Sequence, residues 1–284
     1  MRGNELKPEG YDIIGDVHGQ TQQLVNLLSA LGYGKLNGVW SHPSRQALFV
    51  GDVIDKGQDP AGALSLVHDM VTAGSARMVL GNHELNWIHE AADYAGDPWS
   101  FLAATARRAE REALAWSCHA HPEWLLQCFH WLRRQPIFID EPDLRVVHAW
   151  WDGQAVQRLH HAGINDLDEA ALSGYRTPHQ PLYYALDRVI AGCAHKALAK
   201  PSPEGFSTRR RRINWWEEVV PDGDNGYPAE DPPVFFGHYA MEGPPRLLSP
   251  NQLSVDYGAA YGGHLVAYRH TPGEALDESR FVAA

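Results

Sequence analysis

Three apolar runs end in a glycine that is followed at once by acids, amides and imidazoles, and this recurrence constrains the fold more than any other feature of the chain. Tyr11-Asp12-Ile13-Ile14 runs into Gly15-Asp16-Val17-His18-Gly19, Ala47-Leu48-Phe49-Val50 into Gly51-Asp52-Val53-Ile54-Asp55-Lys56-Gly57, and Arg77-Met78-Val79-Leu80 into Gly81-Asn82-His83-Glu84. Short apolar runs bounded by turn residues read as buried strands. A strand that ends in such groups is a place to hold metal. Asp16 and His18 lie two apart, so in extended chain they project to one side, and an oxygen with an imidazole suits a borderline divalent cation. Asp52 has two oxygens to share between neighbouring ions, and Asn82 offers a neutral amide oxygen. Two-metal sites clamp the attacking and leaving oxygens of an in-line displacement with ions roughly 3.5–4 Å apart. A phosphoester is the natural substrate for that geometry.

Between these strand ends the spacing turns helical. Leu24, Leu27, Leu28 and Leu31 recur at helical intervals, with Gly32 placed to end the helix. Tyr33 to Gln46 reads as a connection, in which His42 is a loop histidine. Asp59 and Pro60 announce a second helix as N-cap and first residue, with Leu64, Val67 and Val71 on one face. Leu85, Trp87 and Ile88 carry the third motif into another helix. The first ninety-odd residues therefore predict two strand-helix-strand crossovers, which put the polar residues at the carboxyl ends of adjacent parallel strands, where open α/β sheets place their sites.

Later segments add two histidines. Ile137-Phe138-Ile139 and Leu144-Arg145-Val146-Val147 predict a hairpin that ends in His148, and Val234-Phe235-Phe236-Gly237 repeats the strand pattern before His238. From Asp97 to Arg134 the pattern predicts a helical cap containing Trp116, Trp124 and Trp131, which helices more often use as core than as a stacking surface. His119, His121 and His130 have no acidic partner at ligand spacing. Trp150 and Trp151 either shape a substrate wall or cover the sheet edge. A helical stretch is expected near Leu182 to Leu198, within an otherwise irregular insertion at about 160–231. Arg209 to Arg212 beside Trp215 and Trp216 could bind a phosphate chain or single strands, or form a solvated face answered by Glu217 and Glu218. Leu253 to Gly258 and His264 to Arg269 are expected to close a second sheet.

Gly-Asp-x-His-Gly, Gly-Asp-x-x-Asp-Lys-Gly and Gly-Asn-His-Glu, in this order after strands, resemble the calcineurin-like metallophosphoesterases, in the branch that joins PPP-type serine/threonine phosphatases with symmetrical diadenosine tetraphosphatases. The resemblance implies an α/β, four-layer αββα sandwich with a helical cap insertion at about 97–134, spanning residues 10–272. It implies two divalent ions, manganese first and iron or zinc as alternatives, held by Asp16, His18, Asp52, Asn82, His148 and His238. It further implies in-line attack by a water held between the ions, His83 as the acid that protonates the leaving group, and Asp55 as the partner that fixes its tautomer. Lys56 stands where the phosphatases carry a phosphate-clamping arginine, and a point charge orients phosphate less than a bidentate fork. The family's second arginine has no motif match, leaving Arg158, Arg176 and Arg188 as candidates. Distant relatives carry Gly-His-x-His at the last motif. Ala240 stands in place of the final histidine.

Phosphomonoester hydrolysis, on a phosphoprotein or a small molecule, is the first functional expectation, and symmetrical cleavage of dinucleoside tetraphosphates the alternative. An inactive metal-binding scaffold ranks last, because every ligand and the acid are retained. The net charge of −11 argues against a general nucleic-acid or anionic-membrane surface, though bound ions would dominate the potential of a local cleft. Three cysteines, Cys118, Cys128 and Cys193, form no CxxC pair or disulfide framework. With no apolar leader and no run of membrane-spanning length, a cytoplasmic enzyme is expected.

Overall fold

The computed structural model describes residues 8–92, 122–177, 179–192, 194–196, 210–218 and 226–284. In chain order its strands and helices are β1 (Gly10–Ile14), α1 (Thr21–Ala30), β2 (Gly34–Leu36), β3 (Val39–Ser41), β4 (Arg45–Phe49), α2 (Pro60–Thr72), β5 (Ala76–Met78), α3 (Asn82–Ala92), α4 (Pro122–Leu132), β6 (Phe138–Glu141), β7 (Leu144–Val147), α5 (Gly153–His161), α6 (Glu169–Tyr175), α7 (Pro181–Ala191), β8 (Ala194–Lys196), β9 (Arg210–Arg212), β10 (Val234–Phe236), β11 (Gln252–Ser254), β12 (Asp256–Tyr257), β13 (His264–His270) and β14 (Phe281–Ala283). The larger sheet runs β12-β13-β1-β4-β5, with β14 also paired to β13, and the smaller runs β11-β10-β7-β6. β1, β4 and β5 are parallel to one another, and β13 lies antiparallel to β1.

Alternation along the strands builds the layers. Tyr11 and Ile13 of β1, Leu48 of β4 and Val50 just beyond it share one apolar cluster with Val146 of β7, Phe235 of β10 and Leu253 of β11, so this cluster fills the space between the two sheets. The alternate residues Ile14, Ala47 and Phe49 instead join Leu24, Leu28, Leu64 and Val67 of the helices. Period-two strands buried on both faces thus give the helix–sheet–sheet–helix sandwich. The expected helix boundaries have local causes: Asp59 accepts from the backbone N–H of Gly62 at 2.9 Å to cap α2, and Gly32 follows α1 at φ +87°.

Two expectations are corrected. Tyr33 to Gln46 is more than a connection, because Asn37-Gly38, both at positive φ, turn β2 back onto β3 as a hairpin and Arg45-Gln46 already belong to β4. His264 to Arg269 lies in the first sheet, paired to β1, and not in the second. The run from Gln252 crosses between sheets at Val255: its N–H still bonds Phe236 in the smaller sheet, while Asp256 pairs with Leu265 in the larger. Trp150 and Trp151 are both buried, Trp150 beneath the Arg188 guanidinium and Trp151 against Phe138 and Arg145, with Trp151 also bordering a cavity of about 260 Å³.

Of the helical cap, residues 93–121 lie outside the described residues, including Trp116, His119 and His121. The remainder is α4, whose Trp124 and Trp131 pack on the core and whose His130 faces solvent. Cys128 is buried and in no disulfide among the described residues, whereas Cys118 and Cys193 lie outside the described residues. No helix among the described residues is long and apolar enough to cross a membrane.

Candidate metal centre

Two loops meet where β4 and β5 end, and they can approach only because glycines stand there. A Cβ on Gly51, at φ +101°, would lie 2.5 Å from the backbone N of Gly81, and one on Gly81 would lie 2.2 Å from Asp52 Oδ1. His18, Asp52, Asp55, Lys56 and His238 also adopt positive φ, between 44° and 69°. Such residues persist only where surrounding contacts over-determine them. Here the contacts are backbone bonds from His18 and Gly19 to the carbonyls of Asp52 and Val53, each 2.8 Å, and one carboxylate beneath the loop.

That carboxylate is Glu84. Fully buried, it accepts from Asp52 N at 2.8 Å, Gly81 N at 3.0 Å, Val53 N at 2.8 Å and Ile54 N at 3.2 Å. Burial, then the nearby Asp52, push its pKa above the ordinary range. Sequence reasoning quoted Glu84 within its motif but gave it no task, because three of its four partners are backbone groups of the Asp52–Ile54 loop, far away in the sequence.

The predicted residues converge. Asp52 Oδ2 lies 3.4 Å from His18 Nε2, 3.5 Å from His148 Nε2 and 3.9 Å from His83 Nε2, while its Oδ1 accepts from the N–H of His83 at 2.9 Å. Asn82 Oδ1 sits between His238 Nδ1 at 2.8 Å and His148 Nε2 at 3.2 Å. Ligand atoms of Asp52, His148 and His238 all fall within 4.8 Å of one another, as do those of His18, Asp52 and His83. Asp16 borders the same cleft, its carboxylate accepting from the N–H of His238 at 3.1 and 3.3 Å.

The donor chemistry fits a cation pair. His18 Nδ1 and His148 Nδ1 donate to the carbonyls of Ile54 and Val50, at 2.9 and 2.7 Å, which in the neutral ring leaves each Nε2 lone pair beside Asp52. His238 Nε2 is buried with no hydrogen-bond partner among the described residues. The charges are poorly matched without ions. Burial, Asp256 and Asp52 hold the Asp16 carboxyl well above the usual range, while burial lowers His18 to about 4 against the pull of Asp52. Burial, His148 and Arg212 depress His238 strongly. For Asp52 burial opposes ionisation, yet His148 and His83 outweigh it and hold the carboxylate well below its ordinary value. Asp256, a third buried carboxylate bordering the cleft, was missed. Its signal was present, since an apolar run, Leu253-Ser254-Val255, precedes it and Gly258 follows.

His83 faces the cleft from another side. Its Nδ1 lies 2.7 Å from Asp55 Oδ2, and the other oxygen of Asp55 accepts from Trp87 Nε1–H at 2.6 Å. Burial disfavours the imidazolium, but Asp52 and Asp55 prevail and raise the pKa of His83. Lys56 Nζ lies 2.9 Å from His18 Nε2 and over the Tyr261 ring. None of the three candidate arginines borders the cleft. Arg188 is held by Asp152, Arg176 reaches the carbonyl of His89, and Arg158 sits in the last turn of α5. Arg212 does border it, with Nη1 donating to the carbonyl of His238 at 2.6 Å. Arg209, at the start of that run, lies outside the described residues.

A family profile described as Calcineurin-like phosphoesterase matches residues 11–196, which takes in all three strand-end motifs and His148. The chain belongs to this family. Among its relatives, a symmetrical bis(5'-nucleosyl)-tetraphosphatase from Ralstonia nicotianae is 27% identical, the alignment covering 95% of this chain and 92% of that protein. An asymmetrical bis(5'-nucleosyl)-tetraphosphatase, PrpE, from Halalkalibacterium halodurans is 26% identical, covering 91% and 89%. The solved structure of a protein serine/threonine phosphatase from Saccharomyces cerevisiae shares the fold, with a TM-score of 0.54 at 15% identity, covering 99% of this chain and 80% of that one. As a calcineurin-like phosphoesterase the chain is a hydrolase of phosphoester or phosphoanhydride bonds.

Proposed function

We propose that this phosphoesterase uses two divalent cations, held by Asp16, His18, Asp52, Asn82, His148 and His238, to cleave dinucleoside polyphosphates. The observation that carries the reading is the chain Trp87–Asp55–His83, which aims an imidazole with a raised pKa at the cleft beside Asp52. Asp55 accepts from Nδ1–H, so the second ring proton resides on Nε2, where it can pass to the leaving oxygen. Trp87 holds Asp55 in place for that task. When bound, the cations supply Lewis-acid polarisation and a water of lowered pKa. Lys56 and Arg212 supply positive charge at the cleft mouth, Arg212 with the fork that Lys56 lacks.

The curated relatives move the alternative of the sequence reading ahead of its first expectation: the two described above, each aligned over most of the chain, are named tetraphosphatases, and dinucleoside polyphosphates therefore precede phosphomonoesters as the proposed substrate. Manganese remains the first metal to test, because this oxygen and imidazole set suits several divalent ions. The manganese-loaded protein should hydrolyse diadenosine tetraphosphate, to ADP alone if cleavage is symmetrical and to ATP with AMP if it is not. EDTA should abolish the reaction. Hydrolysis of phosphoserine peptides or an aryl monoester, with diadenosine tetraphosphate untouched, would overturn the substrate reading, and full activity after chelation would overturn the metal reading.

A further inference from the structure

The metal cleft has almost no room of its own. It encloses about 20 Å³, little beyond what a single water needs. Beside it lies a second cavity of about 430 Å³, within the roughly 300–1,000 Å³ typical of ligand pockets. Arg212 and Ala240 border both spaces. A substrate held by its phosphorus in the cleft must place its bulk elsewhere, and the methyl group of Ala240 leaves that border low where a larger side chain would raise it.

The walls of the second cavity select the occupant. Trp216 and Tyr239 both line it, with ring centroids 5.0 Å apart at 87°, and Trp216 is further set by Phe236 at 5.2 Å. Trp215 anchors the segment from below by donating its Nε1–H to the carbonyl of Ala149 at 3.0 Å. The charged lining consists of Arg212 and Arg246 against Glu217 and Glu242, which sums to zero. A phosphate chain gains nothing from such a balance, whereas a neutral aromatic group carrying hydroxyls gains stacking and hydrogen-bond acceptors. We infer that this cavity is the nucleoside subsite, the base resting against Trp216 and Tyr239 while the phosphate chain passes Arg212 into the metal cleft. The inference rests on the proposed reaction for its orientation, and assigns residues that the reaction alone does not.

Binding of AMP and of ribose 5-phosphate to the manganese-loaded protein tests it, because the two probes share a phosphate and a sugar and only one carries a base. AMP should bind about tenfold more tightly than ribose 5-phosphate, in line with stacking of one base on an aromatic side chain. Trp216→Ala should bring the two within about twofold by weakening AMP alone, and Trp216→Phe should restore most of the preference. Equal affinities in the wild type, or a preference that survives Trp216→Ala, would overturn the assignment. Should Trp216→Ala fail to fold, wild-type protein carrying 5-fluorotryptophan decides: the fluorine resonance absent from Trp216→Phe should shift with AMP and not with ribose 5-phosphate, and no shift would overturn the subsite. Hydrolysis of diadenosine tetraphosphate is scored separately, so an inactive protein that keeps the Trp216-dependent preference refutes the reaction and supports the subsite.

Discussion

Removing the Glu84 carboxylate should loosen the metal loop and the whole fold together. Its two oxygens satisfy four buried backbone N–H groups, those of Asp52, Val53, Ile54 and Gly81. An N–H left without an acceptor costs about 1–3 kcal/mol. Losing the buried charge, whose pKa burial already raises, offsets part of that cost, so the low end applies and Glu84→Ala is predicted to destabilise by ~3–4 kcal/mol. With roughly 2–4 °C of melting temperature per kcal/mol at this size, the midpoint should fall by about 6–16 °C. Glu84→Gln should fall between, because its amide can accept on one oxygen but presents a second donor to the other two N–H groups, for a loss of about 2 kcal/mol. Thermal unfolding of the metal-free proteins, with manganese titrations alongside, reads both effects. The expected order is wild type above Gln above Ala, with manganese affinity falling in step, since the N–H of Asp52 is one of the four. A Glu84→Ala protein that melts within 2 °C of the wild type would refute the reasoning.

Other perturbations separate the roles in the cleft. His83→Asn should retain metal while turnover falls about 10²–10⁴-fold, the range for a positioned acid; unchanged turnover would remove His83 from that role. Asp55→Asn should keep the fold but lower the apparent pKa on the alkaline limb of the pH–rate profile, because the carboxylate contributes to holding His83 protonated; an unmoved limb would count against the pairing. In the metal-free protein the Asp16 carboxyl has a raised pKa and holds its proton to higher pH than an ordinary carboxyl, so cation binding should release protons and weaken as pH falls. Calorimetry in buffers of different ionisation enthalpy checks this, and loading without proton release would contradict it.

Much of the centre was legible in the sequence because strand-end ligands travel with local signals. An apolar run fixes where the chain is buried, and the glycine after it marks where two loops can touch, so Asp16, Asp52, Asn82 and His238 could be picked out one motif at a time, and His148 as the end of a predicted hairpin strand. What escaped were the contacts that have no local signal. Glu84 accepts mostly from backbone groups across the fold, and nothing in a run of four arginines signals that Arg212 bonds the carbonyl of His238. The sheet membership of β13 depends on the crossing at Val255, which leaves the hydrophobic pattern of that run unchanged. The β2–β3 hairpin is a different case: Asn37-Gly38 is a strong turn signal that was passed over because the flanking strands are three residues each, β2 exposed and β3 only half-buried.

The central claim is that six side chains spread from Asp16 to His238 hold two cations around Asp52. A manganese titration of the metal-stripped protein, followed by electron paramagnetic resonance, tests it most directly. The account predicts two ions per chain with a spin-coupled spectrum, lost in Asp52→Asn, whose remaining amide oxygen cannot serve both positions. A single uncoupled ion in the wild type, or a coupled pair that survives Asp52→Asn, would contradict it.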